Sequence, residues 1–153
     1  MKILGILQNQ WFHNPERMKH ILATQFKGNR EKFTRTFLFF GCLTGRRLQN
    51  CLGEELCSEI IWEECSPEMG GFAASKFKPD LVHISLTINN LRPNIIIAFG
   101  SIAQSAFGCG GITLNQEVCT THYLQAPHPA ARQPDVIAKL CELRETITKI
   151  RQG

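Results

Sequence analysis

The run Ile95-Ile96-Ile97-Ala98-Phe99 constrains this chain more than any other stretch. Pro93 stands before it and Gly100 ends it, so it is too short for a helix. Five consecutive apolar residues predict a strand covered on both faces, and such strands belong to parallel sheets. A parallel sheet needs helical crossovers, and the rest of the sequence supplies them. Lys2 to Leu7 reads as a first strand. Ile60-Ile61-Trp62, within Glu59 to Glu63, reads as a second, and Thr121 to Gln125 as a fourth. Between them, Asn14-Pro15-Glu16 opens a helix with Asn as N-cap and Pro at the first turn. Lys27 to Arg35 is polar and basic and reads as a loop or irregular helix. Arg46 to Leu52 reads as a short helix closed by Gly53. Asp80 to Leu91 carries apolar residues at helical spacing. Ser101 is placed to cap a helix running to Phe107, and Gly108 to Gly111 reads as a flexible turn. Val136, Ile137, Leu140, Leu143, Ile147 and Ile150 stripe a last helix opened by Pro134-Asp135. The expected fold is a single α/β domain over residues 1–153, three-layer α/β/α with a four-stranded, mainly parallel sheet. Trp62, Phe99 and Phe107 are expected in its core.

In such a sheet, ligands bind where the carboxyl ends of the strands converge. Four segments meet there: Gln8-Asn9-Gln10-Trp11, Glu63-Glu64-Cys65-Ser66-Pro67, Gly100-Ser101, and Pro127-His128-Pro129. The last is the most unusual. Each proline fixes its own φ and biases the residue before it away from helix. His128 is therefore held on a stiff corner.

Several function classes are disfavoured. Neither a GxxxxGK[ST] loop nor a GxGxxG fingerprint is present, nor a GxSxG elbow. The seven cysteines stand at 42, 51, 57, 65, 109, 119 and 141, with no CxxC spacing. Reduced thiols are expected, with no metal site and no cofactor. No apolar run approaches the roughly 18 residues that span a membrane. The N-terminus lacks the apolar core and cleavage site of a signal peptide, so a cytoplasmic location is expected. Charge is segregated: residues 17–47 carry eight Lys/Arg against Glu31, while residues 54–68 carry six glutamates and no base. That separation suits a polyanion docking on one side.

The order of segments resembles the uracil-DNA glycosylase superfamily. Gly41-Cys42-Leu43-Thr44-Gly45-Arg46-Arg47-Leu48 is similar to its small-residue loop and following helix, with Phe40 where an aromatic stacks on the flipped base. The stretch from Arg92 to Ala103 is similar to its third strand, glycine turn and helix. His128-Pro129-Ala130 resembles its H-P-S motif. Asn9 falls on the asparagine of its G-x-N-P-G motif, although Gln10-Trp11 replaces Pro-Gly.

This resemblance implies an enzyme that hydrolyses the N-glycosidic bond of a damaged or modified base extruded from DNA. His128 would stabilise the departing base anion and Asn9 would position the attacking water. Gln8, Trp11, Phe40 and Glu63 would bind the base. Thr44, Arg46, Arg47, Ser101 and Arg132 would hold phosphates. DNA is the expected partner, and the protein is expected to act as a monomer. Many members carry a base-reading asparagine near the end of strand two, where this chain has Glu63-Glu64. An ionised carboxylate only accepts hydrogen bonds, so it suits a base edge with an amino donor, as in cytosine or adenine. Two rivals stay open: a non-catalytic nucleic-acid-binding relative, and an enzyme acting on a free nucleoside or nucleotide.

Overall fold

The expected central strand lies at the middle of a four-stranded sheet. The computed structural model describes residues 1–72, 77–108, 110–114 and 121–153. In chain order its elements are β1 (Ile3–Leu7), β2 (Gln10–Trp11), α1 (Pro15–Thr24), α2 (Arg30–Leu38), α3 (Leu43–Leu52), α4 (Glu54–Glu59), β3 (Ile61–Glu64), β4 (Met69–Gly70), α5 (Leu81–Leu91), β5 (Ile95–Phe99), α6 (Gly100–Gln104), β6 (His122–Ala126) and α7 (Val136–Gln152). The main sheet runs β3-β1-β5-β6 with every neighbour parallel. β2 and β4 form a separate two-stranded parallel ladder, Gln10 opposite Met69 and Trp11 opposite Gly70.

Both central strands are buried along their full length. Their side chains alternate between two cores. Ile3, Leu7, Ile95, Ile97 and Phe99 pack with Trp62, α3 and α7 on one face. Leu4, Ile6, Ile96 and Ala98 pack with Ile84 of α5 and Ala103 of α6 on the other. Helices thus cover both faces, as expected from the apolar run. Gly5 sits under Trp62: a Cβ there would stand 2.8 Å from the indole ring, so the indole lies against bare backbone. No helix among the described residues is long and apolar enough to cross a membrane.

Several boundaries differ from expectation. The basic stretch after Lys27 is the regular helix α2, capped by Asn29, whose side chain accepts from Lys32 N–H. Phe33 and Phe37 lie one turn apart and stack with Phe12 and Phe26 in an aromatic cluster. The charges alternate with that apolar stripe and mask it in the sequence. α3 starts at Leu43, three residues before the expected Arg46, with Cys42 as N-cap. α4 is a further helix, and β3 ends at Glu64 rather than Glu63. Ser101 does not cap α6; the helix begins directly at Gly100 and ends at Gln104. Ile137 is 46% exposed, off the buried stripe of α7. Cys109, within the expected turn, and Cys119 lie outside the described residues.

Candidate functional site

The sheet order places β1 and β5 side by side while their crossovers leave in opposite directions. A crevice opens at such a switch point, beyond the carboxyl ends of the strands. Here it is a pocket of about 440 Å³. Its wall carries Gln8, Asn9, Trp11, Phe40, Thr44 and His128 among the residues expected at the site. Phe40 and Trp11 are exposed at its lip, 82% and 41% respectively. A second groove of about 750 Å³ shares Gln8 and His128 with it and continues past Ser101 and Gln104 along α7.

The His128 corner is fastened from three directions. Arg47 of α3 donates to the carbonyls of Pro129 and Ala131, both at 2.8 Å. Gln104 of α6 donates to the carbonyl of Ala126 at 3.0 Å. Gly100 has φ +87°, and a Cβ on it would stand 3.0 Å from His128 Cβ. The glycine therefore serves both the turn and the close approach of the histidine.

Hydrogen bonding defines the state of the imidazole. Ala130 N–H donates to His128 Nδ1 at 3.1 Å. Nδ1 is therefore the acceptor, and a neutral ring carries its proton on Nε2. Burial lowers the His128 pKa, which favours that neutral form. His128 thus offers one N–H donor and stays uncharged near neutrality.

Among the described residues, two buried atoms of the pocket have no partner. Asn9 donates from Nδ2 to the carbonyl of Gln10 at 3.3 Å, but its Oδ1 is buried and unpaired. Glu64 Oε2 is likewise buried and unpaired. An unmet buried polar group costs about 1–3 kcal/mol. Both residues line the same cavity, so these two atoms are left for whatever enters it to meet.

The adjacent glutamates have separate roles, set by strand alternation. Glu63 does not line the pocket. It points toward α5, where His83 Nε2 stands 3.3 Å from its Oε1, and Arg30 at the start of α2 donates to the same oxygen at 3.0 Å. Burial pushes its pKa up, but the His83 contact, the Arg30 charge and the Glu64 N–H outweigh this and hold it below the usual range. Glu64 shares the face of Trp62 and lines the pocket. It is 4% exposed, and burial next to the Glu63 charge pushes its pKa up to about 8. The Arg30 charge opposes this shift without cancelling it, so the fold favours the protonated form of Glu64. The signal for it was available: two residues beyond a core tryptophan, it must share that residue's face.

The phosphate-binding candidates are dispersed. Thr44 lines the pocket and Ser101 the neighbouring groove. Arg46 and Arg132 are exposed outside both. Arg47 is committed to the loop carbonyls. Among the described residues no group of three or more His, Cys, Asp or Glu is arranged to hold a metal ion. No protein-family model matches the chain, and no curated protein or solved structure shows significant similarity to it.

Proposed function

We propose that this protein is a divergent relative of the uracil-DNA glycosylase superfamily that hydrolyses the N-glycosidic bond of a base extruded from DNA. The observation that carries the reading is the pairing, in one pocket, of a neutral His128 presenting Nε2–H with the unpaired Asn9 Oδ1. Cleavage leaves positive charge on the sugar and negative charge on the base. A preorganised donor aimed at that developing anion contributes about 3–4 kcal/mol. Asn9 Oδ1 accepts a hydrogen bond from water and holds it for attack on the sugar carbon. Phe40 and Trp11 at the lip stack on the base, which must leave the duplex to reach the pocket.

One observation favours a second reading. Arg47 is withdrawn from phosphate contact, which weakens the case for a duplex and favours hydrolysis of a free nucleoside or nucleotide.

Oligonucleotides carrying a panel of normal, deaminated and alkylated bases, in single and double strands, test the first reading by strand cleavage after alkali. Free nucleosides followed by chromatography test the second. Base release that drops by about 100-fold or more in His128→Ala is the expected result. Release by the variant at the wild-type rate removes the mechanism, and no release from any substrate removes the function.

A further inference from the structure

α3 and α7 lie alongside each other and run in the same direction. Arg47 reaches the carbonyls of Pro129 and Ala131 just before α7. Gly53, which ends α3, lies against Arg144 of α7: a Cβ on it would stand 3.3 Å from Nη2. Leu48, Cys51 and Leu52 share one core with Val136, Leu140, Leu143 and Ile147. Between those two fixed points the side chains of Cys51 and Cys141 meet in a hydrogen bond between their thiols. Both are free thiols; Cys51 is buried and Cys141 is exposed. The pair lies outside both grooves, so its chemistry is independent of the proposed hydrolysis.

The other described cysteines are placed differently. Cys42 caps α3: its thiol donates to the carbonyl of Leu38 and accepts from Gly45 N–H. Cys65 donates to the carbonyl of Gln8. Cys57 is 1% exposed, and burial pushes its thiol up to about 12, which leaves it a poor nucleophile at neutral pH. The Cys51 thiol is raised by burial and by Cys141, and lowered by Arg47, one helical turn before it. Capping Cys141 removes its part of that rise, while Arg47 stays. Modification of the outer thiol therefore eases ionisation of the inner one.

We propose that Cys51 and Cys141 are a reversible dithiol–disulfide site, oxidised by a small disulfide such as oxidised glutathione. The Cys141 thiolate attacks one sulfur of that disulfide. A mixed disulfide forms on Cys141, and one glutathione leaves with the Cys141 proton. The Cys51 thiolate then attacks the Cys141 sulfur. The bond from Cys141 to glutathione breaks, and the second glutathione leaves with the Cys51 proton. Two protein thiols are oxidised and one small disulfide is reduced to two thiols. The product staples α3 to α7, one turn from the arginine that grips the His128 loop.

The test is incubation of the reduced full chain with oxidised glutathione at neutral pH, then alkylation of the remaining thiols and peptide mapping with fragmentation. Wild type is compared with Cys51→Ala, Cys57→Ala and Cys141→Ser, each checked for folding by circular dichroism. Wild type and Cys57→Ala should give a monomer bridged between Cys51 and Cys141, which dithiothreitol reopens. Cys51→Ala should instead retain glutathione on Cys141, at about tenfold or more the level in wild type. Cys141→Ser should leave Cys51 unmodified. The bridge closes a long loop, so bridged wild type should melt about 5–10 °C above the reduced form. A glutathione adduct that persists on wild-type Cys141 as it does in Cys51→Ala overturns the proposal. So does a Cys141 that never reacts, a bridge to any other cysteine, a disulfide-linked dimer, or a bridged form that melts no higher than the reduced one.

Discussion

Glu64→Gln should make this protein more stable, and increasingly so as pH rises. The side chain is 4% exposed, and its folded pKa of about 8 lies well above the 4.5 of an ordinary glutamate. Between those values the unfolded chain carries an ionised carboxylate while the folded chain holds the proton. The folded state thus binds more protons, and its stability falls as pH rises through this window. Below the unfolded pKa the contribution is fully present; above the folded pKa the loss is complete. Each pH unit inside the window removes about 1.4 kcal/mol. Glutamine has the same shape and no titration, so the difference between the two proteins isolates this one group. That difference should grow by about 3 kcal/mol between about pH 5 and pH 7.5. For a chain of this size it corresponds to roughly 6–12 °C in Tm. Urea unfolding of both proteins at half-unit pH intervals measures it. Parallel stability curves across that range would refute the argument, because they would mean that Glu64 ionises in the folded protein as freely as in the unfolded one.

The His128 corner yields further expectations. Arg47→Ala removes two charge-assisted hydrogen bonds to the loop carbonyls and should cost about 2 kcal/mol in urea unfolding, with broadening of the His128 ring resonances. Gly100→Ala forces an L side chain into φ +87° and against His128 Cβ, so it should cost about 1–3 kcal/mol and shift the same resonances. In the middle of β1, Gly5→Ala places a methyl group 2.8 Å from the Trp62 ring and should cost about 1–3 kcal/mol, with altered near-ultraviolet dichroism from that indole.

What the sequence reveals and what it conceals divide along physical lines. Ile95 to Phe99 is legible because a continuous apolar run has few ways to satisfy its backbone and bury both sides. α5 is legible because Asp80 as N-cap and the apolar spacing after it agree, and Asp80 does accept from His83 N–H. α2 is hidden because its basic residues dominate the composition of the stretch, while Phe33 and Phe37 give it a buried side. The convergence of Asn9 and His128 follows from strand order and could be reasoned in advance; Phe40, in the turn between α2 and α3, was indicated only by the family resemblance. The choice between Glu63 and Glu64 turns on one step of strand alternation, and so on a strand end placed to within one residue. Arg47 could not be assigned from the sequence. Its partners lie 82 and 84 residues away, and an arginine at a helix start looks the same whether it meets a phosphate or a carbonyl.

The two walls of the pocket are held with unequal firmness. On the His128 side, α3, α6 and the Gly100 turn each grip the loop through separate contacts. On the facing side, Trp11 is tied by a ladder of two residues, extended by a bond of 2.8 Å from Phe12 N–H to the carbonyl of Gly70. An isolated ladder of two residues opens at lower free energy than a loop braced by a packed helix. The stacking of Phe12 on Phe33 and Phe37 anchors the chain just after Trp11, so the looser part of that wall is Trp11 itself. The imidazole on the opposite wall is held by the firmer set of contacts. Amide exchange should follow the same asymmetry, faster at Trp11 and Phe12 than at Ala130 and Ala131.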